Sequence, residues 1–361
     1  MIAAMLRGEV TTRIGWQAVG WMALVGAIAG VLVALGNPGN MGLCGACFLR
    51  DIAGALHLHK GPAYLRPEVA GLVLGALLWS LLRRRHVGRS GSFAVARFFL
   101  CAMMAIGTLV FLGCPFRLLQ RLAGGDANAW LALPGFVFGV WAATGAERRG
   151  YTLGKTQEVP TVVGLIGPLA FAGLLVAAWF GTGFADSGAP RAPAYASLLL
   201  ALGVGAILSA TGFCAISAVR AIFRPQRWML FAALACIGGC ALVFALTGKL
   251  QPGFSGQPAA HGDWFWNTLA LALVGCTGAL AGGCPVRQLV MAGEGNGDAF
   301  VGCMGLVFGA ALAHGLGLVA TPMTAQAAGG PADGSPRVIA ALMLATTWYA
   351  LAVERANRSK A

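Results

Sequence analysis

The sequence predicts an all-α integral membrane protein made of two inverted five-helix repeats, and three observations predict it. Apolar runs long enough to cross a bilayer recur along the 361 residues. Charge is scarce, with 10% of residues charged, 58% hydrophobic and a mean hydropathy of +0.76. Two cysteine motifs each occur twice with one common spacing. A soluble domain carries roughly 25% charged residues, and this chain has too few to coat a folded surface. The 54 glycines suit helices that pack closely in lipid. Disorder, a disulfide-rich secreted domain and a nucleic-acid binder are excluded on the same grounds.

Ten apolar spans are predicted, near 16–35, 66–82, 93–113, 129–146, 161–180, 195–211, 228–247, 264–281, 298–318 and 337–353. The opening MIAAMLRGEVTTR has no small-residue cleavage site and reads as a cytoplasmic leader into the first span. With that end inside, 17 of the 25 basic residues fall in inner segments, among them Arg7, Arg13, Arg148, Arg149, Arg224, Arg358 and Lys360. This bias follows the positive-inside rule, so most of the net charge of +13 sets orientation. The expected location is a bacterial inner membrane, crossed many times, with both termini cytoplasmic. Three outer cations, Arg50, Arg117 and Arg121, sit beside the repeated motifs.

The first motif, G-x-C-x5-R, runs from Gly42 through Cys44 to Arg50 and again from Gly212 through Cys214 to Arg220. The second, G-C-P-x-R-x-L, runs from Gly113 through Cys114 and Arg117, and again from Gly283 through Cys284 and Arg287. Both pairs are offset by 170 residues, which marks a duplication into 1–180 and 181–361. Five spans per half is odd, so the second half enters the membrane upside down, as in many secondary transporters.

Each motif opens a segment too short to span, within 40–57, 212–225, and the runs ending at Gly124-Gly125 and Gly293. Such pieces persist in membranes only where protein or a cavity surrounds them. Pro115 and Pro285 suit the first turn of a helix, which puts Cys114 and Cys284 at its cap. Free N–H groups and the positive dipole end gather there, an anion site by construction. A thiol at that place can donate an S–H hydrogen bond, and Arg117 and Arg287 add charge within a turn. The predicted pathway residues are therefore Cys44, Cys114, Cys214 and Cys284, with Arg117, Arg287, Arg50 and Arg220. Cys47 joins them less firmly, because its repeat partner is Ser217. The unrepeated Cys101, Cys236, Cys240, Cys276 and Cys303 read as packing.

Among the other polar residues, Arg50-Asp51 reads as a local ion pair. Glu68 is either a proton-coupling group or an interfacial cap on the second span. His57 and His59 read as interfacial, and His314 as a satisfied polar group in an apolar helix. Asn37-Pro38-Gly39-Asn40 reads as a tight turn, and Asp126 and Asp298 as caps of the spans that follow them. Cys44-x-x-Cys47 is half of a metal or redox motif, without the second pair that zinc needs. No phosphate loop or dinucleotide fingerprint is present, so no cofactor and no metal is expected. The enzyme alternative is a membrane thiol oxidoreductase that uses Cys44 and Cys47.

Several strings resemble the YedE branch of the YeeE/YedE membrane proteins. They are Gly36-Asn-Pro-Gly-Asn-Met-Gly-Leu-Cys44, Ala46-Cys47-Phe-Leu-Arg50-Asp51, Leu65-Arg-Pro-Glu68, Phe111-Leu-Gly-Cys114-Pro, Leu122-Ala-Gly-Gly-Asp126 and Arg149-Gly-Tyr-x-Leu-Gly154. The resemblance covers almost the whole chain. It implies an hourglass of inverted halves whose half-helices meet at a constriction, with Cys44, Cys114, Cys214 and Cys284 passing an anion along by S–H hydrogen bonds. In the better understood branch that anion is thiosulfate. The YedE branch is proposed to carry a selenium compound. That sulfur branch tends to carry Ser-Gly-His after the first Cys, where this chain has Gly45-Ala46-Cys47. The resemblance thus implies uptake of a selenium or sulfur anion, with thiosulfate uptake as the first alternative. A membrane partner that hands chalcogen to a cytosolic sulfur or selenium carrier protein is another.

Overall fold

The computed structural model describes residues 2–181, 183–223 and 227–358, with side chains described between 15 and 357. Fourteen α-helices follow one another. They are α1 (Ile2–Ala34), α2 (Gly45–Ala55), α3 (Pro67–Leu82), α4 (Ala94–Phe111), α5 (Pro115–Ala123), α6 (Ala127–Arg148) and α7 (Thr161–Phe180), then α8 (Ala194–Thr211), α9 (Ala215–Arg220), α10 (Trp228–Leu246), α11 (Trp264–Leu280), α12 (Pro285–Gly293), α13 (Gly297–Gly315) and α14 (Ser335–Arg358). The described sheet is one two-stranded ribbon, β1 (Arg89–Ser90) against β2 (Gln157–Glu158). The protein is an all-α membrane protein.

Nine helical segments among the described residues are long and apolar enough to cross a bilayer. The predicted tenth span, 66–82, is a helix of 16 residues. At 1.5 Å per residue it is about 24 Å long, short of the ~30 Å hydrocarbon thickness. Most of its residues are buried by protein, which lowers its need to match the lipid. Of the cations used to orient the chain, Arg224 and Lys360 lie outside the described residues, as do the side chains of Arg7, Arg13 and Arg358.

The helices pack in tight pairs, α1 with α10, α3 with α8, α6 with α11 and α4 with α13. Glycine makes the pairs close. A Cβ on Gly135 or Gly139 of α6 would lie 2.1 or 2.0 Å from a carbonyl of α11. A Cβ on Gly305 or Gly309 of α13 would lie 2.2 or 2.4 Å from a carbonyl of α4. Lipid supplies no hydrophobic drive between helices, so van der Waals contact of bare backbones must do so.

The loops sort onto two faces. On one, the β ribbon meets the turn after α12 through the Arg89 N–H bonded to the Gly295 carbonyl, 3.0 Å, and Arg149 meets Glu354 of α14 at 2.9 Å. On the other, Ala127 N–H bonds the Gly253 carbonyl, Ala185 N–H the Ala55 carbonyl and Gly262 N–H the Ala328 carbonyl, each at 3.0 Å. The short helices α2, α5, α9 and α12 lie between, with their first turns buried.

Candidate functional site: four cysteine-capped helix ends

Each repeated cysteine is the N-cap of a short helix: Cys44 of α2, Cys114 of α5, Cys214 of α9 and Cys284 of α12. The local sequence dictates this. The cap backbone is extended, Pro115 and Pro285 occupy the first helical turn of α5 and α12, and Gly212 takes the left-handed turn two residues before Cys214. The cap carbonyl accepts the first helical bond in all four, from Phe48, Leu118, Ala218 and Gln288 at 2.9–3.0 Å.

The four ends converge. Cys114 Sγ lies against the N–H groups of Phe116 and Arg117 in its own helix and of Gly45 and Ala46 at the start of α2. Cys284 N–H donates to Cys214 Sγ at 3.4 Å. A Cβ on Gly45 would lie 2.8 Å from Val286 N, so α2 and α12 begin in backbone contact. Phe116 and Phe213 close the group edge to face, with centroids 6.2 Å apart. All four cysteines are buried. Partial positive charge from several helix ends is thus focused on one sulfur-lined point inside the protein.

Sulfur chemistry differs between the halves. Cys44 and Cys47 form a disulfide, their Cα atoms 5.3 Å apart, a normal span for a bridge across one helical turn. Three of the four repeated positions thus carry free thiols, Cys114, Cys214 and Cys284. Ser217 at the equivalent of Cys47 leaves Cys214 without a partner to oxidise with in its own helix.

The arginines differ too. Arg117 is 2% exposed and has no ion pair among the described residues. Its Nε donates to the Asn40 carbonyl at 3.1 Å, its Nη2 to those of Gly39 at 3.2 Å and Ala259 at 3.4 Å, and its Nη1 to Cys47 Sγ at 3.7 Å. The turn through Gly39 and Asn40, which follows the end of α1 at Ala34, supplies two of those carbonyls. Arg287, its repeat partner, is instead clamped at 3.1 Å by both oxygens of Glu294, in a pair only 19% and 25% exposed. Arg50 pairs with Asp51 at 2.6 Å, and Asp51 also takes Arg66 at 2.7 Å. Arg220 pairs with Glu147 and donates to the Ala279 carbonyl at 3.0 Å. So Arg117 alone of the four predicted arginines joins the cysteines with its charge uncompensated.

Two further residues hold the site: Gln120, which no motif marks, and Arg121, one of the three cations noted beside the motifs. The Gln120 amide bonds both backbone groups of Leu43, with Leu43 N–H donating to its Oε1 at 3.1 Å, and so fixes the approach to Cys44. Arg121 pairs with Asp126 at 2.6 Å and bonds the Phe111 carbonyl at 2.7 Å. A glutamine and a second arginine inside so apolar a segment were the available signal.

Other expectations fare unevenly. Asp126 caps α6, accepting from Asn128 N–H at 3.0 Å and Ala129 N–H at 3.4 Å. Asp298 does not cap its own helix: Asn296 does, and the 170-residue offset from Asp126 points to it. Asp298 reaches across to Ser90, Gly91 and Ser92 instead. His314 is not a satisfied core group, for its Nε2 has no partner and its ring stacks on His59 at 4.1 Å. His57 is exposed and meets the Gly183 carbonyl at 3.1 Å. Glu68 sits in the first turn of α3, buried, bonded by Asn37 Nδ2 at 3.0 Å and Ser197 Oγ at 3.1 Å. Among the described residues no cluster of three or more His, Cys, Asp or Glu could hold a metal ion.

No protein-family model matches the chain, and no curated protein matches it.

Proposed function

We propose that this protein is an inner-membrane uptake transporter for a selenium- or sulfur-containing anion, formed of two inverted repeats, with both termini in the cytoplasm. The observation that carries the proposal is the convergence of four short helices whose N-caps are the four repeated cysteines. Helix ends and S–H donors attract a large, soft anion without gripping it, and transport needs release as much as binding. Arg117 adds an attracting charge. Burying it without a counter-ion costs several kcal/mol, which carbonyls offset in part and a passing anion offsets further. The inverted repeat is supported by the packing pairs, since α1 with α10 becomes α8 with α3 under the repeat shift, and α6 with α11 becomes α13 with α4. The resemblance to the YeeE/YedE proteins points the same way, with thiosulfate as the alternative cargo and a cytosolic sulfur or selenium carrier as a partner. No bound cofactor enters this reading.

A second reading, a membrane thiol oxidoreductase, draws on the Cys44–Cys47 disulfide at a helix start. Uptake of radiolabelled selenite and thiosulfate into proteoliposomes separates the two, measured for wild type and Cys47→Ser. Transport predicts entry of one ion and near-normal entry in the variant. The redox reading predicts disulfide exchange with a thiol donor, abolished by Cys47→Ser, and no ion entry.

A further inference from the structure

Away from the cysteines, α7 and α8 both pack on α3 but do not close over it at the ends that their connecting loop joins. Gly75 of α3 and Gly205 of α8 bring those two helices into backbone contact, an added Cβ lying 2.1 and 2.2 Å from the facing carbonyl. α7 also leans on α3. The chain leaves α7 through Gly181, in the left-handed conformation at φ +67, and is then pinned to the end of α2 and the loop after it. Ala185 N–H bonds the Ala55 carbonyl at 3.0 Å and Ser187 N–H the Ala63 carbonyl at 2.9 Å. A cavity of about 650 Å³ remains between the end of α7, the start of α8 and the residues that lead into α3. Clefts that hold small molecules run to roughly 300–1,000 Å³.

Its walls are apolar, with Leu175, Ala178 and Phe180 of α7, Phe184, Leu198 of α8 and Leu65. Its mouth opens beside Trp179, 88% exposed, and Tyr195, 72% exposed, on helices long and apolar enough to cross a bilayer. Trp and Tyr at helix ends mark the headgroup level of a membrane. One edge of the cavity is charged. Asp186 and Tyr64 both line it, and Arg191 joins them. Arg191 Nη1 donates to the two Asp186 oxygens at 2.8 and 2.6 Å, and the guanidinium lies over the Tyr64 ring, 4.2 Å from its centroid. Among the described residues Arg191 Nε and Nη2 have no acceptor, and Asp186 Oδ2 accepts from Arg191 alone.

We propose that this cavity holds a membrane phospholipid with a phosphoethanolamine headgroup, an acyl chain between α7 and α8 and the headgroup on the Asp186–Arg191 pair. The free Nε and Nη2 form one edge of the guanidinium, the fork that takes a phosphate by two bonds. The ammonium brings N–H donors to the Asp186 carboxylate. The pair has no net charge, so an anionic lipid finds Arg191 but leaves Asp186 opposed to it. A choline headgroup has no N–H and is recognised by open aromatic faces. The Tyr64 ring is already taken by Arg191, with Arg66 5.3 Å from its centroid. A soluble phosphate would meet the same arginine and leave the apolar walls unfilled. Leu65 and Pro67, in the wall, flank Arg66, which pairs with Asp51 of α2 at 2.7 Å. The lipid thereby braces the segment that holds the Cys44-capped helix. The site goes beyond the transport reading and does not depend on it.

The test is native mass spectrometry of the full-length protein in detergent. It is incubated with equal amounts of phosphatidylethanolamine, phosphatidylcholine and phosphatidylglycerol of identical chains, which differ in mass. Free phosphoethanolamine is the soluble control. Ala178→Phe fills the cavity from α7. Asp186→Asn and Arg191→Gln alter partly exposed loop residues, and they serve should Ala178→Phe fail to fold. The expected result is one phosphatidylethanolamine held at least about tenfold more tightly than either other lipid. Ala178→Phe should abolish that binding, Asp186→Asn and Arg191→Gln should erase the preference, and phosphoethanolamine alone should not bind. Equal retention of the three lipids overturns the proposal, as does preference for phosphatidylglycerol. So does a phosphatidylethanolamine preference that survives both Asp186→Asn and Arg191→Gln, or free phosphoethanolamine bound as tightly as the lipid.

Discussion

The two halves of the cysteine cluster carry the same motif and do different things with it. In the first half Arg117 is sealed in protein and bonded to three carbonyls, and the sulfur its guanidinium donates to belongs to a disulfide. In the second half Arg287 is partly exposed and neutralised by Glu294, and Cys214 accepts from Cys284 N–H. The repeat fixes where cysteine sits, at the cap of a short helix. Residues the motif leaves open decide its chemistry: Gly124 stands where Glu294 stands, Cys47 where Ser217 stands, and the turn through Pro38 and Gly39, after α1 has ended at Ala34, stands where α8 is still helical up to Thr211.

The largest effect that would break this comparison is expected at Arg117. Arg117→Ala leaves the Gly39, Asn40 and Ala259 carbonyls without their donor, and should cost about 3 kcal/mol by thermal unfolding in detergent and most of the uptake. Arg287→Ala removes a partly exposed, salt-bridged pair and should cost about 1 kcal/mol. Equal losses would dissolve the asymmetry. Gly139→Leu and Gly309→Leu, by contrast, occupy equivalent places in the two halves and should lower stability by similar amounts, about 2 kcal/mol or more, because both drive a side chain into a carbonyl of the facing helix. Unequal losses there would count against the repeat. Gln120→Leu should cost about 2 kcal/mol, since it frees both backbone groups of Leu43, while its counterpart position holds Val290 and no such stitch.

The smallest effect concerns pH. Burial lowers the His59 pKa below its ordinary 6.5, against an opposing bond to the Arg50 carbonyl. Its imidazole accepts Gly61 N–H at Nδ1, 2.9 Å away, and so is held neutral. The unfolded chain takes up that proton first as pH falls, so stability present above pH 6.5 should decline below it, and His59→Gln should flatten that decline in a thermal-unfolding series.

Much of this was legible in the sequence for physical reasons. Hydrophobic period and length placed the helices, and proline and glycine placed the caps, because both act locally. The 170-residue offset also held signals beyond the motifs: it relates Gly135 and Gly139 to Gly305 and Gly309, and Asp126 to the true cap Asn296. What local pattern could not carry was partnership across the fold. Nothing near Arg287 in the motif announces Glu294 seven residues on as its clamp. The histidine stack joins residues 59 and 314, and Asp298 answers serines some 200 positions away. Such pairings depend on which helices meet, and tertiary packing decides that.

The most direct test of the account is uptake by proteoliposomes carrying Cys114→Ala plus Cys284→Ala beside wild type, both shown by gel filtration to remain folded. The account predicts that the ion wild type admits, selenite or thiosulfate, no longer enters at more than background rate. Unchanged entry in the double variant would contradict it, and so would wild-type vesicles that admit neither ion.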